Sequence, residues 1–336
     1  MGKYKNIITP LNLTLEKDFN INKIRNEFPS VVESDMVEGN SLYGLPLSID
    51  TLALYYNRNV LDQSGLASTP RTWGELVAVL PKLRTIDQYK RVLRACIPLG
   101  LADNVNYSAD ILGLLMMQNG AKIVDDTHTR VDINNSVLIG NSYTSPGDTA
   151  LSFYTQFAKP SLSSYTWNSS FPNSLDAFAF GQSVFYIGYA SDRAKILEKN
   201  PNLVFGISEI PQVNFGDKVN FASFNNFVVS NTSKDGKLAW ELIKYLTSDE
   251  IQGKYLQISN MPAGKRVGVD MCNSDPNLAV FCRNILTARS YYRADYVESN
   301  NILMGMINDV SLKNIDIKSA VENGNNTLGY TLYKNN

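Results

Sequence analysis

The sequence is poor in cysteine and histidine, which argues against several kinds of catalytic and metal site. It contains Cys96, Cys272 and Cys282 but no C-x-x-C pair, so neither a zinc site nor a thioredoxin-type motif is supported. The single histidine, His128, lies in the polar stretch DDTHTR, where we expect a solvated loop. We therefore predict no histidine-based triad, no metal and no cofactor.

The pairing of Cys272 and Cys282 stays open from the sequence alone. A disulfide is feasible if Cys272 lies on a loop. On one straight helix, however, the two residues would be about 15 Å apart, which is beyond disulfide reach. The alternative is a pair of free buried thiols.

Long apolar runs are also missing. The longest strongly apolar run covers residues 111–117 and includes Gly113, whereas a membrane span needs about 20 such residues. The start, MGKYKNIITP, is not followed by the apolar segment of a signal peptide. We expect a chain that does not cross a bilayer and whose sequence carries no export signal.

Neither sign of charge dominates, and nucleotide and hydrolase motifs are missing. There are 31 Lys and Arg residues against 32 Asp and Glu residues, with no basic cluster that would indicate a nucleic-acid partner. No G-x-S-x-G, Walker or G-x-G-x-x-G motif occurs. The acidic pairs at 125–126 and 249–250 fit a loop and a helix start. We predict that the chain is not an enzyme, while a glycosidase with two carboxylates that converge in space stays an alternative.

What is present predicts an α/β chain. With 336 residues, two domains are expected. Residues 1–40 are polar and broken, but apolar segments at 52–56, 183–189, 204–207 and 226–230 alternate later with helical patterns. One of these helices starts at a capping box, Thr72 to Glu75. The alternation predicts a largely parallel sheet.

Tyrosine is abundant, with 18 residues, several of them in clusters. The clusters are Tyr55–Tyr56, Tyr186 with Tyr189, and Tyr291–Tyr292 with Tyr296. Such rings can stack on sugar rings in a concave, mostly apolar cleft. They can equally be amphipathic core and rim residues, and the sequence does not decide between the two.

Residues 40–66, NSLYGLPLSIDTLALYYNRNVLDQSGL, resemble the most recognisable stretch of the carbohydrate-type solute-binding proteins of ABC importers, the class that contains maltose-binding protein. Three later blocks resemble the same family in order. They are residues 69–76, 177–212 and 224–256. The resemblance therefore spans nearly the whole chain.

The resemblance implies a periplasmic-binding-protein-like, two-lobed (Venus flytrap) fold with discontinuous lobes. Lobe one is expected at 1–50 and 223–292, and lobe two at 51–222 and 293–336. The implied function is capture of a sugar or oligosaccharide between the lobes by hinge closure, followed by delivery to a membrane permease. Alternatives are a glycoside-processing enzyme and a degenerate interaction module with the same fold.

The resemblance also suggests which residues contact the ligand, with a hinge or packing role as the alternative for each. Asp50 matches an acid at the first crossing between lobes, and Tyr189 matches a position that often carries a stacking aromatic residue. The full set of expected ligand-binding residues is Asp50, Asn106, Tyr107, Tyr189, Asn225, Asn226, Tyr292 and Arg293.

One departure concerns the start of the chain. Family members begin with an export signal, often with a lipobox cysteine, followed by the first strands of lobe one. Here the match begins inside that lobe, near Leu11, so we expect the first lobe to be incomplete. For the full-length form the resemblance implies a monomer outside the cytoplasm, anchored by lipid as members of that family often are, with a permease as its partner.

Overall fold

The computed structural model describes residues 2–139, 142–272 and 274–335. These residues form two compact units. The first unit comprises residues 2–52 and 220–294, and the second comprises Ala53–Val219 and Asp295–Asn335. The chain therefore passes three times from one unit to the other, and each unit is discontinuous in sequence.

The described strands are short, with at most five residues. They are β1 (Leu11–Asn12), β2 (Val37–Glu38), β3 (Ser41–Leu42), β4 (Leu45–Pro46), β5 (Asp50–Thr51), β6 (Ala53–Asn57), β7 (Thr85–Ile86), β8 (Val92–Arg94), β9 (Val137–Ile139), β10 (Ser142–Thr144), β11 (Phe185–Gly188), β12 (Phe205–Ser208), β13 (Asn220–Ser223), β14 (Asn226–Phe227) and β15 (Ala288–Arg289).

The described helices account for more of the chain than the strands do. They are α1 (Ile21–Glu27), α2 (Ser30–Met36), α3 (Arg58–Gln63), α4 (Trp73–Leu83), α5 (Ser108–Gln118), α6 (Pro146–Thr155), α7 (Ser174–Ala179), α8 (Asp192–Lys199), α9 (Gly236–Leu246), α10 (Asp249–Ser259), α11 (Gly268–Met271), α12 (Pro276–Asn284), α13 (Tyr296–Ser311) and α14 (Ile317–Asn335). Short 3-10 turns cover Gly2–Ile7, Gln156–Ala158 and Ile285–Thr287.

Strand β13 is the middle strand of a three-stranded sheet in the first unit. It pairs antiparallel with β5, where Ser223 lies opposite Asp50, and parallel with β15, where Phe221 lies opposite Arg289. The core of this unit contains buried side chains from α1, α2 and α9, among them Ile24, Val32 and Trp240. The sheet therefore brings together three segments that are far apart in sequence.

Strand β6 is the middle strand of the sheet in the second unit, and it confirms the buried strand expected near residues 52–56. It lies between β11 and β12, with Tyr55 opposite both Tyr186 and Ile207. Both pairings are antiparallel, so the expectation of a largely parallel sheet was wrong. A continuous apolar run shows that both faces of a strand are covered, but it carries no information about strand direction.

Local capping chemistry places α4 where the capping box predicted it. The Oγ1 of Thr72 accepts the N–H of Glu75 at 3.1 Å. The Glu75 carboxylate reaches one residue further back than in an ideal capping box and accepts the N–H of Arg71 at 2.7 Å. The amide of Glu75, which the first helical turn would leave unsatisfied, is thereby bonded, and so is the amide of Arg71 just before the helix.

Helix α5 is the most buried helix of the second unit, since every residue from Ser108 to Met117 is buried. It ends just before Gly120, whose φ of 88° lies in the left-handed region, as expected for a glycine stop. Its neighbours include α6 and α13. No described helix has the length and apolar character that crossing a membrane would require.

A disulfide joins Cys272, at the end of α11, to Cys282 on α12, with the two Cα atoms 6.4 Å apart. Cys272 directly follows α11, whereas Cys282 lies within α12, so the two residues do not share one straight helix and the geometric objection to pairing is removed. The bond is buried in a small apolar cluster with Leu256, Ala263 and Leu278. Cys96 is free and buried.

Candidate ligand-binding residues

Tyr107 has an unusual backbone conformation at the start of α5. It is the N-cap residue, with φ 59° and ψ 25°, a left-handed conformation that costs a non-glycine residue about 1–2 kcal/mol. Its hydroxyl donates to Oδ1 of Asp192 at 2.9 Å. Its ring meets that of Tyr189 edge to face, with centroids 4.7 Å apart. Residues that are held in rare conformations concentrate at functional sites.

Asp192 is the centre of this hydrogen-bond network. It begins α8 and is completely buried. Besides the Tyr107 hydroxyl, its carboxylate accepts the hydroxyl of Tyr186 at 2.7 Å and the N–H of Tyr189 at 3.3 Å. The ammonium of Lys195 lies 3.0 Å from Oδ1. The buried charge is therefore compensated by several donors, as buried charges require.

Tyr189 donates to an aspartate of α5, just as Tyr107 donates to an aspartate of α8. Its hydroxyl donates to Oδ2 of Asp110 at 2.9 Å, and Asp110 lies in the first turn of α5. The hydroxyl of Tyr55 donates to the Tyr189 carbonyl at 2.5 Å. Burial raises the pKa of Tyr186 well above its ordinary value, and the charge of Asp192 acts in the same direction. This phenol therefore stays protonated as a donor.

The two halves of the network share a sequence pattern. Tyr107 opens the stretch Y-S-A-D, and Tyr189 opens the stretch Y-A-S-D. In each stretch, the aspartate three residues after the tyrosine lies at a helix start. Each tyrosine hydroxyl donates a hydrogen bond to the aspartate of the other stretch. Tyr107 and Tyr189 were predicted as site residues, whereas Asp110, Asp192, Tyr186 and Lys195 were missed. The repeated Tyr-x-x-Asp spacing is the signal that could have found the two acids.

Asn106 lies next to Tyr107 but makes a different kind of contact. The hydroxyl of Ser174 donates to Oδ1 of Asn106 at 2.9 Å, and the backbone N–H of Asn106 donates to the hydroxyl oxygen of Ser174 at 2.8 Å. These two bonds tie the loop before α5 to the start of α7. Among its described contacts, Asn106 therefore anchors the loop that presents Tyr107.

Asp50, Asn225 and Asn226 belong to the first unit. Asp50 is buried on β5, and its Oδ1 accepts the N–H of Thr51 at 2.9 Å. Asn226 begins β14 opposite Pro46 and is half-buried, while Asn225 is exposed in the connection from β13. The sheet around β13 therefore holds Asp50 firmly and leaves Asn225 accessible.

Arg293 lies between two aromatic rings of the first unit. Its guanidinium carbon is 4.6 Å from the ring centroid of Tyr291 and 5.1 Å from that of Phe221, a buried residue of β13. The neighbouring Tyr292 is half-buried, and burial raises the pKa of its phenol while the charge of Lys5 lowers it. Tyr291 and Phe221 were not predicted as site residues.

Asp35 is a further titratable group beside this segment. The hydroxyl of Ser290 donates to its carboxylate, with distances of 2.6 and 2.5 Å to the two oxygens. Burial raises the pKa of Asp35 above its ordinary value, while the Ser290 hydrogen bond and the charge of Arg293 oppose that rise. Its position in α2 gave no signal, because residues 1–40 showed no clear periodicity.

A cavity of about 480 Å³ in the first unit includes none of the predicted residues. Most of its charged side chains are joined in ion pairs. The pairs are Lys244 with Glu16 at 2.7 Å and Glu241 at 2.9 Å, and Lys265 with Glu27 at 2.6 Å and Asp249 at 2.9 Å. We interpret it as an ion-pair network that joins helices. Among the described residues, no cluster of His, Cys, Asp and Glu side chains is suited to a metal ion.

Residues 4–279 match the profile of the family described as bacterial extracellular solute-binding protein. The chain belongs to this family. Among related sequences, a Brucella abortus protein whose name describes it as a binding protein is 22% identical over 288 residues. That match covers 84% of this chain but only 64% of the relative, so the chain spans less than two thirds of that protein's length.

Solved structures of solute-binding proteins share the fold. The sugar-binding protein MalE of Xanthomonas citri aligns with a TM-score of 0.74 at 17% identity, covering 98% of this chain and 80% of MalE. An ABC-transporter solute-binding protein of Thermotoga lettingae, bound to alpha-D-tagatose, aligns with a TM-score of 0.72 at 17% identity, covering 98% and 82% of the two chains. The expected family and the expected α/β fold of two-lobed binding proteins are confirmed.

Proposed function

We propose that the chain is the solute-binding component of an ABC importer, that it captures a sugar or oligosaccharide, and that it delivers this ligand to a membrane permease. In this proposal the two units are the lobes of the trap, and their closure captures the ligand. Support comes from the family and from the sugar-binding proteins that share the fold.

The observation that carries the proposal is the arrangement of Tyr107 and Tyr189. The hydroxyl proton of Tyr107 is donated to the Asp192 carboxylate, so this half-buried phenol can only accept hydrogen bonds from a ligand, while the buried ring of Tyr189 supports that of Tyr107. The half-buried ring of Tyr107 adds an apolar surface. A ligand with hydroxyl donors and apolar ring faces, such as a sugar, matches both features.

Binding without catalysis is part of the proposal. A glycosidase needs one carboxyl group free to donate a proton and a second free to attack or to activate water. The buried carboxylate of Asp192 already accepts from Tyr107, Tyr186 and Lys195. A carboxylate so occupied suits positioning of side chains better than proton transfer.

We further propose that the protein acts as a monomer outside the cytoplasm and that it is anchored by lipid. The disulfide between Cys272 and Cys282 supports the location, because such bonds persist in oxidising compartments and are rare in the cytosol. The family description supports it independently.

Isothermal titration calorimetry with a panel of mono- and disaccharides tests the proposal. We expect heat from at least one sugar and a loss of about tenfold or more in affinity for Tyr107→Ala, since that change removes the ring and its contact with Asp192. Tyr330→Ala is the matched control, because Tyr330 is exposed on α14 of the same unit. No heat from any sugar with folded protein would contradict the sugar-binding role.

A further inference from the structure

A second pocket lies in the second unit, away from Tyr107 and Tyr189. It has a volume of about 410 Å³ and includes Arg71, Glu209, Phe215 and Lys218. None of the predicted ligand-binding residues lines it. Its lining combines the cation of Arg71, the hydroxyl groups of Ser68, Thr69 and Ser208, and the aromatic ring of Phe215.

Arg71 and Phe215 form the most exposed part of this pocket. The guanidinium carbon of Arg71 lies 5.1 Å from the Phe215 ring centroid. Phe215 is 68% exposed, an unusual state for a phenylalanine unless something covers it. The stack restricts the guanidinium plane while its N–H groups remain at the surface.

The backbone on both sides of this stack is fixed. The N–H of Gln212 donates to the Arg71 carbonyl, and the N–H of Trp73 donates to the Gln212 carbonyl, each at 3.0 Å. Thr72 and Gln212 form a parallel bridge. Arg71 also lies directly before the N-cap of α4. The guanidinium is therefore carried by rigid backbone and is ready to bind without further ordering.

The charge of Arg71 is not neutralised by an ion pair, in contrast to that of the exposed Arg91. Within the described residues, its side chain has no acidic partner and no hydrogen bond. Arg91 also stacks on an aromatic ring, that of Tyr89 at 5.4 Å, but its Nε lies 2.7 Å from the Asp87 carboxylate. In the pocket, Lys218 and Glu209 pair at 2.5 Å and cancel. One uncompensated positive charge remains.

We propose that this pocket is a docking site for an acidic side chain, flanked by an apolar residue, on a partner polypeptide. The guanidinium of Arg71 binds the carboxylate through two parallel N–H···O bonds, and the Phe215 ring is covered by the apolar neighbour. The proposal does not depend on which solute the protein captures.

A polypeptide fits the pocket better than a small free acid does. Small-molecule sites bury most of their ligand, whereas Arg71 and Phe215 lie at the exposed surface. Arginine and aromatic residues are also enriched among the residues that dominate protein–protein binding energies.

Nuclear magnetic resonance titration with two synthetic peptides tests the proposal. The probes are acetyl-Ala-Leu-Glu-Leu-Ala-amide and its glutamine counterpart. The glutamate peptide is expected to shift the Arg71 Nε–H signal and the backbone amide signals of the non-proline residues in 68–71 and 208–218. Arg71→Met should weaken binding by about tenfold or more, and Arg71→Lys by several-fold, because lysine keeps the charge but not the planar pair of donors.

Arg91→Met is the matched control, since it removes an arginine that is stacked on an aromatic ring but already paired. It should leave binding of the glutamate peptide unchanged. Three results would overturn the proposal. They are equal shifts with the glutamine peptide, unchanged binding in Arg71→Met, and sodium acetate binding as tightly as the glutamate peptide. The last would indicate a site for free small acids.

Discussion

Tyr107 and Tyr189 form a reciprocal pair of hydrogen bonds within the second unit, in which each hydroxyl donates to the aspartate that follows the other tyrosine. The hydroxyl of Tyr107 donates to the aspartate three residues after Tyr189, and the hydroxyl of Tyr189 donates to the aspartate three residues after Tyr107. The two bonds join positions that are 85 and 79 residues apart. Two helix starts are thereby tied to each other, and the strained backbone of Tyr107 is held by contacts rather than by its own preference.

Asp192→Asn should destabilise the second unit by about 2–3 kcal/mol. In the wild-type protein the hydroxyls of Tyr107 and Tyr186 each donate to a carboxylate oxygen of Asp192. Asparagine keeps only one acceptor oxygen, so one of the two hydroxyls would face its NH₂ group instead. One buried hydroxyl would lose its acceptor. Urea unfolding followed by circular dichroism measures the change.

The matched control for this prediction is Asp176→Asn. Asp176 also lies in the first turn of a helix and pairs with a lysine, Lys199, at 3.0 Å, but both side chains are partly exposed. Its loss should cost no more than about 0.5 kcal/mol. Equal effects of the two substitutions would contradict a central role for Asp192.

Replacing both Cys272 and Cys282 by serine should lower the free energy of unfolding by about 3 kcal/mol, the loss of loop-closure entropy expected for a short loop. The sequence separation of the two cysteines is ten residues. Urea unfolding of the double variant against the oxidised parent measures the change. Wild-type protein treated with reductant should move to the same midpoint, and a reductant that leaves the midpoint unchanged would contradict the prediction.

Local chemistry explains which elements could be predicted from the sequence. Helix α4 begins at its capping box, and α10 spans residues 249–259 as its helical pattern indicates. Helix α14 was missed because Gly324 and several asparagines weaken its intrinsic helical signal. It is held instead by packing on α13 and α6, where Gly324 lies against Met306. Such tertiary support leaves no periodic mark in the sequence.

The candidate ligand-binding residues, too, could be predicted from the sequence only in part. Tyr107 and Tyr189 could be proposed as ligand-binding residues because they match positions of a known family. Their aspartates could not, because each Tyr–Asp bond joins segments about 80 residues apart, and the strand directions that bring them together were predicted wrongly. The pairing of Arg293 with Phe221 is equally non-local.

The Cys96 thiol should be unreactive in the folded protein. Burial raises the pKa of this thiol far above its ordinary value, and the thiolate is the reactive form. At pH 8 a colorimetric thiol reagent should therefore detect no thiol in native oxidised protein and one in urea, while urea with prior reduction should reveal all three cysteines. Rapid reaction of the native protein would show that Cys96 is accessible.

Asp35 should make the first unit less stable as the pH rises above about 4, the ordinary pKa of an aspartate. Its pKa is raised in the folded state because burial disfavours the charged form. A carboxyl group with a raised pKa binds its proton more tightly in the folded protein than in the unfolded chain. Its stabilising contribution is therefore present at low pH and is lost as the pH rises through the folded-state pKa.

Urea unfolding of the parent and of Asp35→Asn across this pH range tests the sign, because the neutral asparagine cannot titrate. The parent should lose stability relative to the variant as the pH rises. Asp316 provides the opposite case, since the N–H of Ser319 donates to it at 3.0 Å and lowers its pKa. The parent should therefore lose stability relative to Asp316→Asn as the pH falls through about 4, below which the unfolded carboxyl is protonated. Parallel pH dependences for the two variants would contradict the assignment of burial as the dominant effect at Asp35.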